Sequence, residues 1–390
     1  IKYNYSDRKS EHGQMQSKLV VLKPGTSTTT VSVNIPNPKL WWCNGLNNNR
    51  SSLYAAGFKI SKGDSNITQK GLTFGIRTIE LIQNKDSVGL SFYFKLNGVP
   101  VFMKGANYIP QNSFLSNIEK DDYRNTLKMA RDANMNMLRV WGGGAFPDED
   151  FYSDCDKAGI LIWQDFMFAC SMYPGDKAFL DNVKQEATEQ VKKLRNHPCL
   201  ALWCGNNESD EGWHNWGWQK QFKYAQKDST KIWNDYKKLF HEVLPSIVKQ
   251  NDFKIPYWPS SPQIGWGHKE SLKQGDSHYW GVWWGNEPFE IYEKKVGRFM
   301  SEYGFQSLPS LETFKSFCDS ADLTINSVAV KNHQKHKTGF ETITEYMKRD
   351  FIVPTGFEKF IYVSQLVQAH GMKIAIESHR RNKPFSMGTL

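Results

Sequence analysis

Leu200-Ala201-Leu202-Trp203-Cys204-Gly205-Asn206-Asn207-Glu208 is a short apolar run that stops at a glycine and opens into polar residues. An unbroken apolar run of this length predicts a strand buried on both faces, the kind found in parallel sheets covered by helices. Similar runs occur on either side, at Val101 to Lys104, Met135 to Trp141, Gly159 to Gln164, Ile255 to Trp258, Ser277 to Val282 and Phe299 to Glu302. Between them the apolar residues take helical spacing, at Asp121 to Ala133, Asp148 to Lys157, Asp181 to Arg195, Thr230 to Val248 and Ser310 to Phe317. Seven strand and helix units in this order predict a TIM (β/α)8 barrel with one strand unaccounted for. That strand could begin only around Gly388, so the barrel is expected over residues 99–390, truncated near its eighth strand and lacking that strand.

Residues 1–98 have a different texture. Short apolar stretches at Lys18 to Leu22, Thr30 to Asn34 and Phe92 to Leu96, separated by Gly, Pro, Asn and Ser, predict an antiparallel sheet domain. Asn97-Gly98, between Phe92 to Leu96 and Val99 to Met103, predicts a tight hairpin at the boundary.

The chain has 390 residues, 39% of them hydrophobic and 14% aromatic, which excludes a disordered chain and a small disulfide scaffold. No apolar run is long enough for a membrane helix. The six cysteines form no CxxC pair and are expected as free, mostly buried thiols rather than as a zinc site. The net charge of +9 permits a polyanion partner, but the basic residues are scattered. The densest basic stretch, Lys331 to Lys337, is expected as a solvated loop, and nucleic-acid binding is not expected. The sequence begins at Ile1 with neither an initiator Met nor a signal-peptide pattern.

Barrels present their chemistry at the C-terminal ends of their strands, which singles out Glu208, Glu302, Arg139-Val140-Trp141 with its three glycines, and Trp163-Gln164-Asp165. Two glutamates at nearly opposite strand ends can cleave a glycosidic bond, one as acid and the other as nucleophile, provided their environments hold them in different protonation states. Arg139 could supply the cation that keeps one ionised. The bland alternative, that both glutamates cap loops or pair with lysines, is equally open from position alone. Ten of the 14 tryptophans fall in residues 203–284, and flat apolar rings with polar edges suit a sugar. Trp233 is expected as helix packing and Trp216, in a Gly/Asn/His-rich segment, as a substrate contact. Gly142-Gly143-Gly144 lacks the spacing of a phosphate loop, His333 and His336 lack further metal ligands, and no GxSxG occurs.

Gly105-Ala106-Asn107-Tyr108-Ile109-Pro110, Leu138 to Gly144, Trp203 to Glu208 and Ser301-Glu302-Tyr303-Gly304, in this order and spacing, resemble glycoside hydrolase family 2, and within it the β-mannosidases. The resemblance implies a multidomain enzyme in which residues 1–98 are an incomplete immunoglobulin-like β-sandwich and the chain is a segment of a longer protein. It implies a retaining exo-β-mannosidase acting on terminal β-D-mannose of an oligosaccharide, with Glu302 as nucleophile, Glu208 as acid/base and no cofactor or metal. Asn207 is then similar to the residue that contacts the sugar 2-hydroxyl, Trp141 and Trp216 to aromatic walls of the mannose subsite, and Arg139 to the cation beside the nucleophile. His278 and Trp280 fall where the family also places substrate contacts. Galactosidase or glucuronidase specificity, and a non-catalytic carbohydrate-binding segment, are the alternatives. Members are lysosomal in animals and often exported or periplasmic in bacteria, while the number of subunits is left open.

Overall fold

The computed structural model describes residues 2–7, 14–21, 24–46 and 51–390, with residues 2–7 and 14–16 described by backbone alone. The chain divides into two compact units, residues 1–82 with 93–261 and Leu390, and residues 83–92 with 262–389.

The first unit opens with four antiparallel strands, β1 (Lys2–Asp7), β2 (Gln14–Ser17), β3 (Tyr54–Lys62) and β4 (Ser65–Phe74), ordered β2-β1-β3-β4. The β3–β4 hairpin places Tyr54 opposite Phe74, and the rings stack at 5.6 Å. The strands expected at Lys18 to Leu22 and Thr30 to Asn34 are not formed over their described residues, and Leu22 lies outside these. Alternating apolar residues make a strand only where one face has something to cover, and Leu19 and Val21 stand in solvent.

A second antiparallel sheet runs β5 (Ile79–Ile82), β6 (Tyr93–Leu96) and β7 (Val99–Val101). Asn97 and Gly98 both take positive φ, +52° and +79°, the left-handed pair that a two-residue hairpin demands. Because Val99–Val101 is used as the return arm of this hairpin, the first parallel strand is not Val101 to Lys104 but β8 (Met103–Tyr108).

From β8 the first unit becomes parallel. β9 (Met137–Val140), β10 (Leu161–Asp165), β11 (Leu200–Cys204) and β12 (Tyr257–Trp258) follow side by side, each paired parallel to the one before, with a register shift between Ile162 and Trp163 where β10 meets β11. Every residue of β9, β10 and β11 is buried, the reason their apolar runs are continuous. The connecting helices Lys120–Asp132, Glu149–Ala158 and Lys177–Leu194 each bury an apolar stripe. Gly105 allows the closest strand approach, since a Cβ there would lie 1.8 Å from the Met137 carbonyl oxygen.

In the second unit the parallel order is β13 (Ser277–Tyr279), β14 (Met300–Tyr303) and β15 (Gly388–Thr389), with His278 opposite Glu302 and Met300 opposite Thr389. The eighth parallel strand is thus represented, by two residues. Thr389 is held there by hydroxyl contacts with Tyr303 at 2.6 Å and with His379 Nδ1 at 2.9 Å. The unit's core gathers Phe289, Tyr292, Phe305, Tyr346 and Ile361 around β14. Two helices that the strand and helix count did not anticipate, Gly339–Asp350 and Phe357–Arg381, supply much of it. Part of the basic stretch expected as a loop, Lys331 to His333, instead ends a short helix, Val328–His333. Among the described residues no helix is long and apolar enough to cross a membrane.

Candidate active site

Arg139 projects from β9 with no exposed surface. Its guanidinium meets the Asp165 carboxylate at the end of β10 twice, Nη2 to Oδ2 at 2.9 Å and Nε to Oδ1 at 3.4 Å. The same guanidinium donates to Asn107 Oδ1 at 3.0 Å and to Asn207 Oδ1 at 2.8 Å. Asp165 also accepts from the Trp163 indole at 2.9 Å and the Gly142 backbone N–H at 3.0 Å. A buried charge pair is tolerable only when its remaining hydrogen-bonding capacity is filled, and these contacts fill it. Three of the residues quoted at strand ends, Arg139, Asp165 and Asn207, are thereby one rigid unit.

Asn206, Asn207 and Glu208 follow β11 as an irregular turn. Asn206 is buried and ties the turn together, accepting from the Ser209 N–H at 3.0 Å and the Ser260 hydroxyl at 2.8 Å and donating to the Pro259 carbonyl at 3.0 Å. Asn207 bridges Ala169 on one side and Ser261 on the other. Glu208 takes φ +57°, a left-handed conformation costly for a residue with a side chain and common where function demands it. Burial raises the pKa of its carboxyl above the ordinary carboxylate range, against the opposing pull of Arg139, Cys170 and Asn207. That is the direction a proton donor requires.

Trp141 follows Arg139 by two residues, and its ring lies on Gly143, where a Cβ would fall 1.9 Å from the indole. Gly143 therefore makes room for an aromatic ring, whereas a Cβ at Gly142 would meet the Phe168 carbonyl and one at Gly144 would meet Pro110. Trp216 caps the helix Ser209–Asn215 that starts after Glu208, is 42% exposed, and meets Trp218 edge to face at 5.5 Å. Trp233 stacks with Trp213 and Tyr236, as expected for helix packing.

In the second unit Glu302 sits in β14, almost wholly buried, with the His278 Nδ1 atom 3.3 Å from its Oε2. Asp276 accepts from the Ser301 hydroxyl at 2.6 Å and lies 3.9 Å from His278 Nε2, so the imidazole stands between two carboxylates. The Trp280 ring comes to 3.8 Å of where a Cβ of Gly304 would stand. Glu302, His278 and Trp280 thus belong to one end of the β13–β14 pair.

Asp165 and Cys170 emerge as site residues only in three dimensions. Asp165 was visible as a polar strand end without a role, while Cys170, the one exposed thiol among six free cysteines, had no sequence signal. A different cluster, Asp156, His197 and Cys199, brings one potential metal-ligand atom from each within 4.8 Å of one another. Both imidazole nitrogens of His197 are already engaged, with Asp156 Oδ2 at 2.6 Å and Glu149 Oε1 at 2.8 Å. Burial also holds the Cys199 thiol well above its ordinary pKa, so the donor set does not suit a metal ion.

Comparison with known proteins gives a consistent answer. The chain is 34% identical over 380 residues to β-mannosidase B of Emericella nidulans, an alignment that covers 95% of this chain and 44% of that protein. Against the crystal structure of a β-D-mannosidase from Dictyoglomus thermophilum it is 38% identical with a TM-score of 0.90, covering 100% of this chain and 46% of the other. The chain belongs to the glycoside hydrolase family 2 β-mannosidases. It spans somewhat under half the length of these β-mannosidases. The exo-chitosanase of Amycolatopsis orientalis, 17% identical with a TM-score of 0.70 over 100% of this chain and 45% of its own, shares the fold. No family model matches the chain.

Proposed function

We propose that the protein containing this chain is a retaining exo-β-mannosidase that removes terminal, non-reducing β-D-mannose from oligosaccharides. In this reading residues 99–390 are the catalytic (β/α)8 barrel and residues 1–98 are an incomplete immunoglobulin-like β-sandwich. Glu302 attacks the anomeric carbon, forming a covalent mannosyl intermediate as the glycosidic bond breaks, and Glu208 protonates the departing oxygen. Glu208 then takes a proton from water, whose oxygen displaces Glu302. Asn207, Trp141, Arg139, Trp216, His278 and Trp280 bind the sugar or orient the groups that do.

The observation that carries the reading is the pair of glutamates at the C-terminal ends of parallel strands in two unlike settings. Glu208 has its pKa raised by burial, which favours the protonated acid at the start of the cycle. Glu302 is buried against His278. The identity to β-mannosidases over nearly the whole chain supports the same assignment.

The test uses the full-length protein and aryl β-glycosides. Glu302→Gln should abolish turnover of every substrate. Glu208→Gln should lower kcat/KM for an unactivated β-mannoside by roughly 10²- to 10⁴-fold, the usual worth of a general acid, while sparing 2,4-dinitrophenyl β-mannoside, whose leaving group needs no proton. Equal loss on both substrates would remove Glu208 from the role. A higher kcat/KM on galactosides or glucuronides would overturn the mannoside specificity.

A further inference from the structure

Strands β8 and β9 release the loops that follow them from one fixed point. Tyr108 pairs with Val140 at the strand ends, and the Trp141 N–H extends the ladder to the Tyr108 carbonyl at 3.1 Å. The loop after β9 turns back at once, the Gly144 N–H donating to the Trp141 carbonyl at 3.1 Å. The loop after β8 is braced by its own side chains. In it the Phe114 N–H donates to Asn112 Oδ1 at 2.9 Å, and Gln111 Nε2 donates to the Asp122 carbonyl of the next helix at 3.0 Å. The two loops meet where the Pro110 ring lies against Gly144, so close that a Cβ there would stand 2.8 Å from it.

Beside that contact the loops border an open cavity of about 310 Å³, with Pro110, Asn112, Ser113 and Leu115 on one side and residues 143–145 on the other. This lies at the lower end of the range of small-molecule sites, about 300–1,000 Å³. Its walls offer amide, hydroxyl and backbone groups between aliphatic surfaces, and none of the lining residues carries a charge. Such a lining suits a neutral, hydroxyl-bearing molecule rather than an ion. A cavity of about 710 Å³ in the second unit is different in kind, lined by Lys331, Lys348, Arg349, Glu341 and Glu345 among others. Ile109, Phe114 and Leu115, all on the loop after β8, are 57%, 72% and 50% exposed and give that loop an apolar edge. Gly143 both lines the cavity and carries the Trp141 ring, so the cavity adjoins the residue that walls the mannose subsite in the reading above.

We propose that this cavity binds the leaving-group part of the substrate, as the site for the sugar that follows the terminal mannose. This rests on the reading of the protein as a β-mannosidase with Trp141 beside the terminal mannose. Both walls are braced by hydrogen bonds within their own loops, so the site is preorganised and favours oligosaccharides over mannosides with a small leaving group. Contacts to a sugar that is not distorted during the reaction hold the ground state and the transition state alike, so their loss falls on KM and not on kcat.

The experiment uses the full-length protein with β-1,4-mannobiose and with β-mannosyl fluoride, whose leaving group is too small to occupy the cavity. Ala145→Leu, which puts an aliphatic branch into the cavity, should raise KM for mannobiose about tenfold with kcat within about twofold, and leave kcat/KM for the fluoride within about twofold. An equal loss on both substrates, or an unchanged KM for mannobiose, overturns the proposal. If Ala145→Leu lowers the thermal unfolding midpoint, Ser113→Ala decides instead, since it removes one hydroxyl and adds no bulk. It should raise KM for mannobiose about fivefold, the worth of one neutral hydrogen bond, and spare the fluoride, and no change in that KM again overturns the proposal. If the wild type cleaves both substrates and the variants miss this pattern, the cavity loses its role and the mannosidase reading stands. If the wild type cleaves neither, both fall.

Discussion

The two ends of the parallel strands in the first unit each hold a buried charged cluster, and the clusters are built differently. At the N-terminal ends of β10 and β11, Asp156 accepts from the Cys199 N–H at 2.9 Å and pairs with His197, whose other nitrogen pairs with Glu149. Trp41 from the antiparallel region donates its indole N–H to the Asp156 carbonyl at 2.8 Å. None of these residues has a left-handed backbone. At the C-terminal ends, Arg139 and Asp165 form a more deeply buried pair, and the contacts run onward through Asn207 to Glu208 and an exposed thiol, across two strained residues. Burial and charge are common to both ends. What separates the site from the staple here is a network that reaches a carboxyl whose pKa burial raises, with backbone strain where it does so.

Substitutions can break that contrast. The largest effect on stability is expected from Arg139→Met, which leaves Asp165 buried without its cation and should destabilise the fold by about 3–5 kcal/mol, with activity lost as Asn207 is released. A stable but inactive variant would mean that the upper pair contributes orientation alone. His197→Ala removes one partner of the lower pair and should cost about 3 kcal/mol in urea unfolding while leaving kcat/KM of the full-length protein within about twofold. A large loss of activity with an unchanged midpoint would erase the distinction between the two ends.

The smallest effect is a pH dependence. Burial alone would lower the His197 pKa, but Asp156 and Glu149 more than reverse this, so its folded value lies above the ordinary one. A raised histidine pKa gives stability that is full below the unfolded value of about 6.5 and fades as pH rises through the folded value. The stability difference between wild type and His197→Gln should therefore narrow as pH is raised from about 6 to about 9. A difference that widens over that range would show that His197 is held neutral.

Much of the parallel region was legible because burial on both faces leaves a plain signature. Leu200–Cys204 appears in the structure with the bounds its apolar run implied, and Asn97-Gly98 makes its hairpin because few other pairs accept two positive φ angles. The β3–β4 hairpin was not legible, since β4 is exposed along nearly its whole length and carries no alternation to read. The helix Phe357–Arg381 escaped for the opposite reason. It buries Phe360, Ser364, Val367, Gly371, Ala375 and Ser378, mixing small and polar residues into its covered face, so no clean apolar stripe marks it.

The candidate site divides in the same way. Glu208, Glu302, Asn207 and Arg139 could be named from the sequence because polar residues at the ends of buried runs are conspicuous and because their motifs resemble a known family. The sequence by itself determined which chemical groups the protein has and on which strands they end. Only the tertiary structure decided that Asp165 grips Arg139, that Arg139 turns the Asn207 amide, and that Cys170 reaches Glu208. Hydrogen bonds act over about 3 Å and depend on direction, so their partners are chosen by how distant segments meet rather than by their spacing along the chain.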